Sequence, residues 1–88
     1  MLEKSNMLAP QYRDSGWVAN DISVRIGRRL RVLRTKRGWS QHYLAEVSGI
    51  NRCHISEIEN GKRDIHISLL EMLATSFGMS LSEFVKDV

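Results

Sequence analysis

The chain has 88 residues, 42% hydrophobic and 26% charged, with 13 basic and 10 acidic side chains and one cysteine. That length supports one small domain with a thin core. No apolar run approaches the roughly 18 residues of a membrane span, no signal peptide is evident, and a lone cysteine forms no internal disulfide, so a cytoplasmic protein is expected.

Residues 1–20 show no clean period, and Pro10 and Gly16 interrupt any continuous helix. They form an irregular or disordered N-terminal arm, in which Tyr12, Trp17 and Val18 are available to dock on the domain or on a partner subunit. The domain proper occupies residues 21–88. Asp21 or Ser23 opens a first helix that runs to about Lys36. Ile22, Ile26, Leu30 and Leu33 make its apolar stripe, and Arg25, Arg28, Arg29, Arg31, Arg34 and Arg37 occupy the other faces. Gly27 sits mid-helix at a cost of about 1 kcal/mol against Ala, which close helix packing would explain. Gly38 closes the helix, and Trp39 is a core or near-core anchor.

Ser40 caps a second helix with Leu44, Ala45 and Val47 as its apolar positions. Gly49 makes a sharp turn, since it takes positive φ without steric cost. Asn51 caps a third helix, about Arg52 to Asn60, with Ile55 and Ile58 inward and Gly61 just past its end. Two short helices around a glycine turn are a helix-turn-helix, and such a motif presents its second helix to the DNA major groove. Ser68 caps a fourth helix carrying Leu69, Leu70, Leu73, Ala74 and Phe77, with Gly78 as its stop. Ser80 and Glu83 form a capping box for a fifth helix, Leu81 to about Asp87. No strand pattern appears, so the fold is all-α, five short helices in a compact domain.

Charge is unevenly spread. Residues 22–63 carry ten basic and three acidic side chains, whereas residues 64–88 carry only Lys86 against Asp64, Glu71, Glu83 and Asp87. A basic region in and before a helix-turn-helix suits a polyanion, because phosphate neutralisation supplies most non-specific DNA affinity. Other chemistries fit poorly. Cys53 and His54 point about 100° apart on a helix, and no Cys-x-x-Cys or His pair at i, i+4 accompanies them, which argues against a metal. No phosphate loop, paired acids or Ser–His–acid grouping recommends an enzyme. No cofactor and no small-molecule ligand are expected.

The run RRLRVLRTKRG followed by WSQHYLA, SGI, ISEIENGKR and LLEMLATSFGMSLSEF resembles the Cro/C1 helix-turn-helix family, also called xenobiotic-response-element-like, over residues 26–85. The spacing HISEIENGKRDI and the small tail also resemble the controller proteins of restriction–modification systems. The resemblance implies a lambda-repressor-like five-helix domain. It also implies that Gln41, at the start of helix two, meets a phosphate, and that Arg34 pairs with Glu59 to fix helix one against helix three.

On helix three, Arg52, Cys53, Ser56 and Glu57 lie away from Ile55 and Ile58 and are the base-reading set. Arg52 either pairs bidentately with guanine O6 and N7 or clamps a phosphate. Glu57 either accepts from cytosine N4 or orients Arg52 by an ion pair. Asn51, His54, Asn60, Lys62 and Arg63 flank the helix and suit phosphate oxygens. Met72, Val85 and Val88 exceed what one inward face needs and are candidates for a dimer patch. The function this implies is a sequence-specific transcriptional regulator, a homodimer on an inverted repeat in double-stranded DNA. It would repress by occluding RNA polymerase or activate by touching it. A restriction–modification controller and a phage or mobile-element repressor both fit, and an antitoxin that binds DNA and a protein toxin is the alternative.

Overall fold

A computed structural model describes residues 18–88, with side chains from Ile22 onward. The arm expected at residues 1–20, with Tyr12 and Trp17, therefore lies outside the described residues up to Val18. Among the described residues five helices follow in order: α1 Val18–Lys36, α2 Gln41–Ser48, α3 Arg52–Glu59, α4 Ile67–Ser76 and α5 Leu81–Phe84. No helix among the described residues is long and apolar enough to cross a membrane.

The capping chemistry read from the sequence sets most boundaries. The Tyr43 N–H donates to Ser40 Oγ at 2.9 Å, and Asn51 Oδ1 accepts from Cys53 N–H and His54 N–H. Gly49, at φ 79°, ends α2 in the left-handed region, where a side chain would be strained. Ser80 and Glu83 close the expected capping box of α5.

Four expectations need correction. Helix α1 begins at Val18, earlier than Asp21 or Ser23, and Ser23 is buried inside the helix. Helix α4 is capped by His66, whose Nδ1 accepts from Leu69 N–H at 3.2 Å. The imidazole thereby does the work expected of the Ser68 hydroxyl, which lies in the first turn instead. Helix α5 stops at Phe84, because Arg29 Nε and Nη2 take the Phe84 and Glu83 carbonyls at 2.8 and 2.9 Å. Val47, expected inward, is 43% exposed.

The core draws on every helix. Leu30, Leu44, Ile55, Ile58, Leu73 and Phe84 are fully buried at its centre. Trp39, in the link between α1 and α2, stacks on Phe77 at 5.0 Å, and Phe77 stacks in turn towards Phe84 at 6.3 Å. Arg37 covers Trp39 and Phe77 at 5.3 and 5.4 Å and donates to the Phe77 carbonyl at 2.8 Å. Such contacts join aromatic burial to a cation over the ring faces. Trp39 is thus the near-core anchor anticipated for it.

Helix α1 packs on α3, and Gly27 makes the contact possible. A Cβ built on Gly27 would overlap the Ile58 carbonyl oxygen and press on the Glu59 backbone. The conformational cost of a mid-helix glycine is therefore exchanged for a backbone-to-backbone approach. This close contact fixes where the C-terminal end of α3 sits.

Candidate nucleic-acid interface

The short helix α3 cannot hold itself in water, and a set of polar contacts fixes its C-terminal end. The Glu59 side chain is fully buried. Arg34 grips it with two donors, Nε to Oε2 at 2.6 Å and Nη2 to Oε1 at 3.0 Å, while Nη1 donates to the Trp39 carbonyl at 2.7 Å. Gln41 Nε2 donates to the same Oε1 at 3.0 Å, and Arg31 Nε does so at 3.3 Å. Burial works to raise the Glu59 pKa, but the hydrogen bonds from Arg34 and Gln41, with the charge of Arg34 and the bond from Arg31, outweigh it and hold the carboxyl below its ordinary range. The ion pair expected between Arg34 and Glu59 is present, and it joins α1, the start of α2 and the end of α3.

The outward face of α3 carries the surface expected to read bases. Arg52, Cys53 and Glu57 are exposed and Ser56 is half-buried, all on the side away from Ile55 and Ile58. His54 is half-buried on the flank. Arg52 and Glu57 do not pair. Glu57 instead meets Arg63 at 3.1 Å, with both side chains about half exposed. The alternative in which Glu57 orients Arg52 is therefore not the arrangement adopted. An exposed pair of this kind contributes little, so Arg63 can leave it for a phosphate at small cost.

The flanking polar residues are divided in use. Asn51 Oδ1 is engaged in capping α3. Asn60 is engaged at both ends of its amide: Nδ2 donates to the Ser56 carbonyl at 2.9 Å, and Oδ1 accepts from Arg31 Nη2 at 3.4 Å. Lys62 is exposed beside Gly61, whose φ of 69° turns the chain out of α3. Gln41 reaches Glu59 with one amide N–H, which leaves its second N–H and the exposed amides at the start of α2 for an anion.

The arginines of α1 and of the turn after it do not form one solvent-facing bank. Arg29 holds the end of α5, Arg25 Nη1 donates to the Val88 carbonyl at 2.9 Å, Arg34 is internal and Arg37 covers the aromatic stack. Positive charge counted along the sequence therefore overstates what solvent meets. The part played by Arg31 was missed at the level of sequence. The spacing contains the clue, since Arg31 lies three residues before Arg34 on the same helix face.

The three residues expected at a dimer patch are not brought together. Val85 and Val88 pack on the core and line a mostly apolar cleft of about 550 Å³ with Ile22, Ile26, Ile65 and Leu70. Met72 lines a separate groove with Val47, Glu71 and Thr75.

Comparison with known proteins agrees with this geometry. A family model described as helix-turn-helix matches residues 30–84. The control protein C.MunI from Mycoplasma sp is 39% identical over 70 residues, which are 78% of this chain and 95% of that protein. The regulator PuuR from Escherichia coli (strain K12) is 40% identical over 68 residues, 77% of this chain but only 37% of that protein. The crystal structure of the restriction-modification controller protein C.AhdI from Aeromonas hydrophila superposes with a TM-score of 0.69 at 36% identity, covering 73% of this chain and 97% of that one.

Proposed function

Because this chain belongs to the Cro/C1-type helix-turn-helix family of DNA-binding transcriptional regulators, we propose that it acts as a homodimer on an inverted-repeat operator and serves as the controller of a restriction–modification system. One observation carries the reading of DNA sequence. Arg52, Cys53, Ser56 and Glu57 share the outward face of α3, Ser56 half-buried and the other three exposed, while the C-terminal end of that helix is bolted to α1 and α2 through Glu59. A rigidly held helix with its own side chains free to approach base edges is what major-groove recognition needs.

Arg52 is the principal reader, with a guanidinium that matches guanine O6 and N7. Glu57 accepts from cytosine N4 once Arg63 turns to a phosphate. Cys53 and Ser56 are small enough to allow close approach. Gln41, Asn51, His54, Lys62 and Arg63 line the phosphates on either side, with Asn60 beside them. The controller assignment draws on two relatives that match nearly their whole length.

Dimerisation follows from the size of the reader. An eight-residue helix covers only a few base pairs, and a two-fold copy doubles the site with half-sites about one helical turn apart. The cleft of Val85 and Val88 is the surface we assign to the second copy; Met72, on another groove, is set aside. Such a dimer acts in the cytoplasm, and it represses by blocking RNA polymerase or activates by touching it.

The test is selection of bound sequences from a random duplex pool by the purified protein at moderate salt. A two-fold-symmetric enriched sequence supports the proposal. Enrichment of a single asymmetric half-site would remove the dimer. No enrichment would remove sequence reading altogether and turn attention to a protein partner, as for an antitoxin.

A further inference from the structure

We propose that Arg31 is a phosphate-gripping residue of this interface, held in place by Glu59 and Asn60. The inference rests on the DNA reading above and adds to it a residue that neither the capping pattern nor the recognition helix points to.

Two arginines share the Glu59 carboxylate, and they differ in kind. The Arg34 side chain is 13% exposed and has donors on both carboxylate oxygens and on the Trp39 carbonyl. The Arg31 side chain is 51% exposed and reaches only Oε1, by one longer contact of 3.3 Å. One carboxylate neutralises one guanidinium. Arg34 takes that role by geometry, so a positive charge is left over on Arg31, at the surface.

Donor counting agrees. A guanidinium carries five N–H donors in a fixed planar fork. Arg31 engages Nε with Glu59 and one Nη2 hydrogen with Asn60 Oδ1. Its other three N–H groups bond to nothing among the described residues. The two contacts it does make favour one orientation of the long side chain, and pre-ordering a donor lowers the entropic cost of binding.

The location completes the case. Gln41, at the start of α2, donates to the same Glu59 oxygen. Asn60, the residue that closes α3, contacts the guanidinium from the other side and is followed by Gly61 and Lys62. Arg31 thus stands where the first turn of α2 meets the last turn of α3. A DNA strand flanking α3 would pass there. Asn60 Oδ1 faces the guanidinium while its Nδ2 donates to the Ser56 carbonyl, so Asn60 acts as a positioning residue and Arg31 supplies the charge.

The experiment measures affinity for the selected duplex against salt, between about 0.05 and 0.2 M, for the wild-type full chain, Arg31→Gln and Arg31→Lys. Glutamine keeps an amide donor for Glu59 and Asn60 but removes the charge. Loss of one phosphate contact should lower the slope of log K against log salt by about 0.9 and weaken binding about eightfold at 0.1 M. The selected sequence should not change, and Arg31→Lys should restore the slope. Thermal melting of each variant checks the fold. An unchanged slope in Arg31→Gln, with or without a lower melting temperature, would make Arg31 a structural brace and overturn the inference. Failure of the DNA reading is seen separately, as a wild-type protein that binds no duplex.

Discussion

The two ends of α3 are held in opposite ways. At its C-terminal end, Glu59 is buried under donors from α1 and α2, and Gly27 lets the α1 backbone touch the Ile58 carbonyl. At its N-terminal end the helix is tied by its own Asn51 cap and by the buried Ile55, and the side chains of Arg52 and Cys53 stand exposed. One end is therefore specified by structure and tolerates little change. The other carries side chains that can be altered with small effect on the fold. A recognition helix needs both: a fixed frame that sets where the readers stand, and readers that owe nothing to the frame.

Substitutions at the fixed end should cost stability, and the largest loss is expected for Glu59→Ala. Removing the carboxylate leaves Arg34 mostly buried without its partner, which costs about 3–5 kcal/mol, read as the shift in a urea unfolding midpoint. The same pair predicts acid sensitivity. Glu59 titrates below its ordinary value near 4.5 in the folded protein, so the unfolded chain takes up the proton first as pH falls. The stability it contributes is complete above that value and is lost as pH drops through the folded pKa. Glu59→Gln should show a flatter stability profile as pH falls below the ordinary value near 4.5, and a profile identical to wild type would show that the carboxylate is not the group responsible.

Next in size is Gly27→Ala. The added methyl must push the two helices apart, at about 1–3 kcal/mol, despite the better helix propensity of alanine. Unfolding with a midpoint at or above that of wild type would mean the helices separate freely, and the close approach would not set the position of α3.

On the reading face the effects should move from stability to DNA. Arg52→Ala is expected to weaken binding to the selected site by about 1–3 kcal/mol and to relax base preference there, with the unfolding midpoint within about 0.5 kcal/mol of wild type. Loss of affinity without relaxed preference would make Arg52 a phosphate clamp. The smallest change is expected for Glu57→Gln. It breaks only a half-exposed pair with Arg63, so stability should move by no more than about 0.5 kcal/mol, while preference at a cytosine position should weaken.

The same division explains what was legible in the sequence. Local chemistry could be read directly: Ser40, Asn51 and the Ser80–Glu83 box cap their helices because each bond closes within a few residues. The helix-turn-helix and the inward isoleucines followed from spacing. The Arg34–Glu59 pair needed a family resemblance, since nothing local links residues 25 apart. What escaped was which arginine faces which element. Arg25, Arg29 and Arg37 form bonds to carbonyls 40 or more residues away, and a basic residue that caps a distant helix looks the same in sequence as one that meets phosphate. His66 escaped for a different reason: its capping works through a ring nitrogen in a position where a hydroxyl stood two residues later.

The aromatic stack has a consequence for how the motif could be moved. Trp39 precedes α2 by two residues, yet one of its faces is covered by Phe77 at the end of α4, and Phe77 leans in turn on Phe84. A peptide cut to contain only α2 and α3 would strip Trp39 of that cover and leave Glu59 without Arg34. The helix-turn-helix of this chain is therefore not a portable cassette. The contacts that hold its reading surface run from α1 to the Val88 carbonyl that Arg25 engages, and a chimera that grafts new specificity should exchange side chains on α3 rather than transplant the helix.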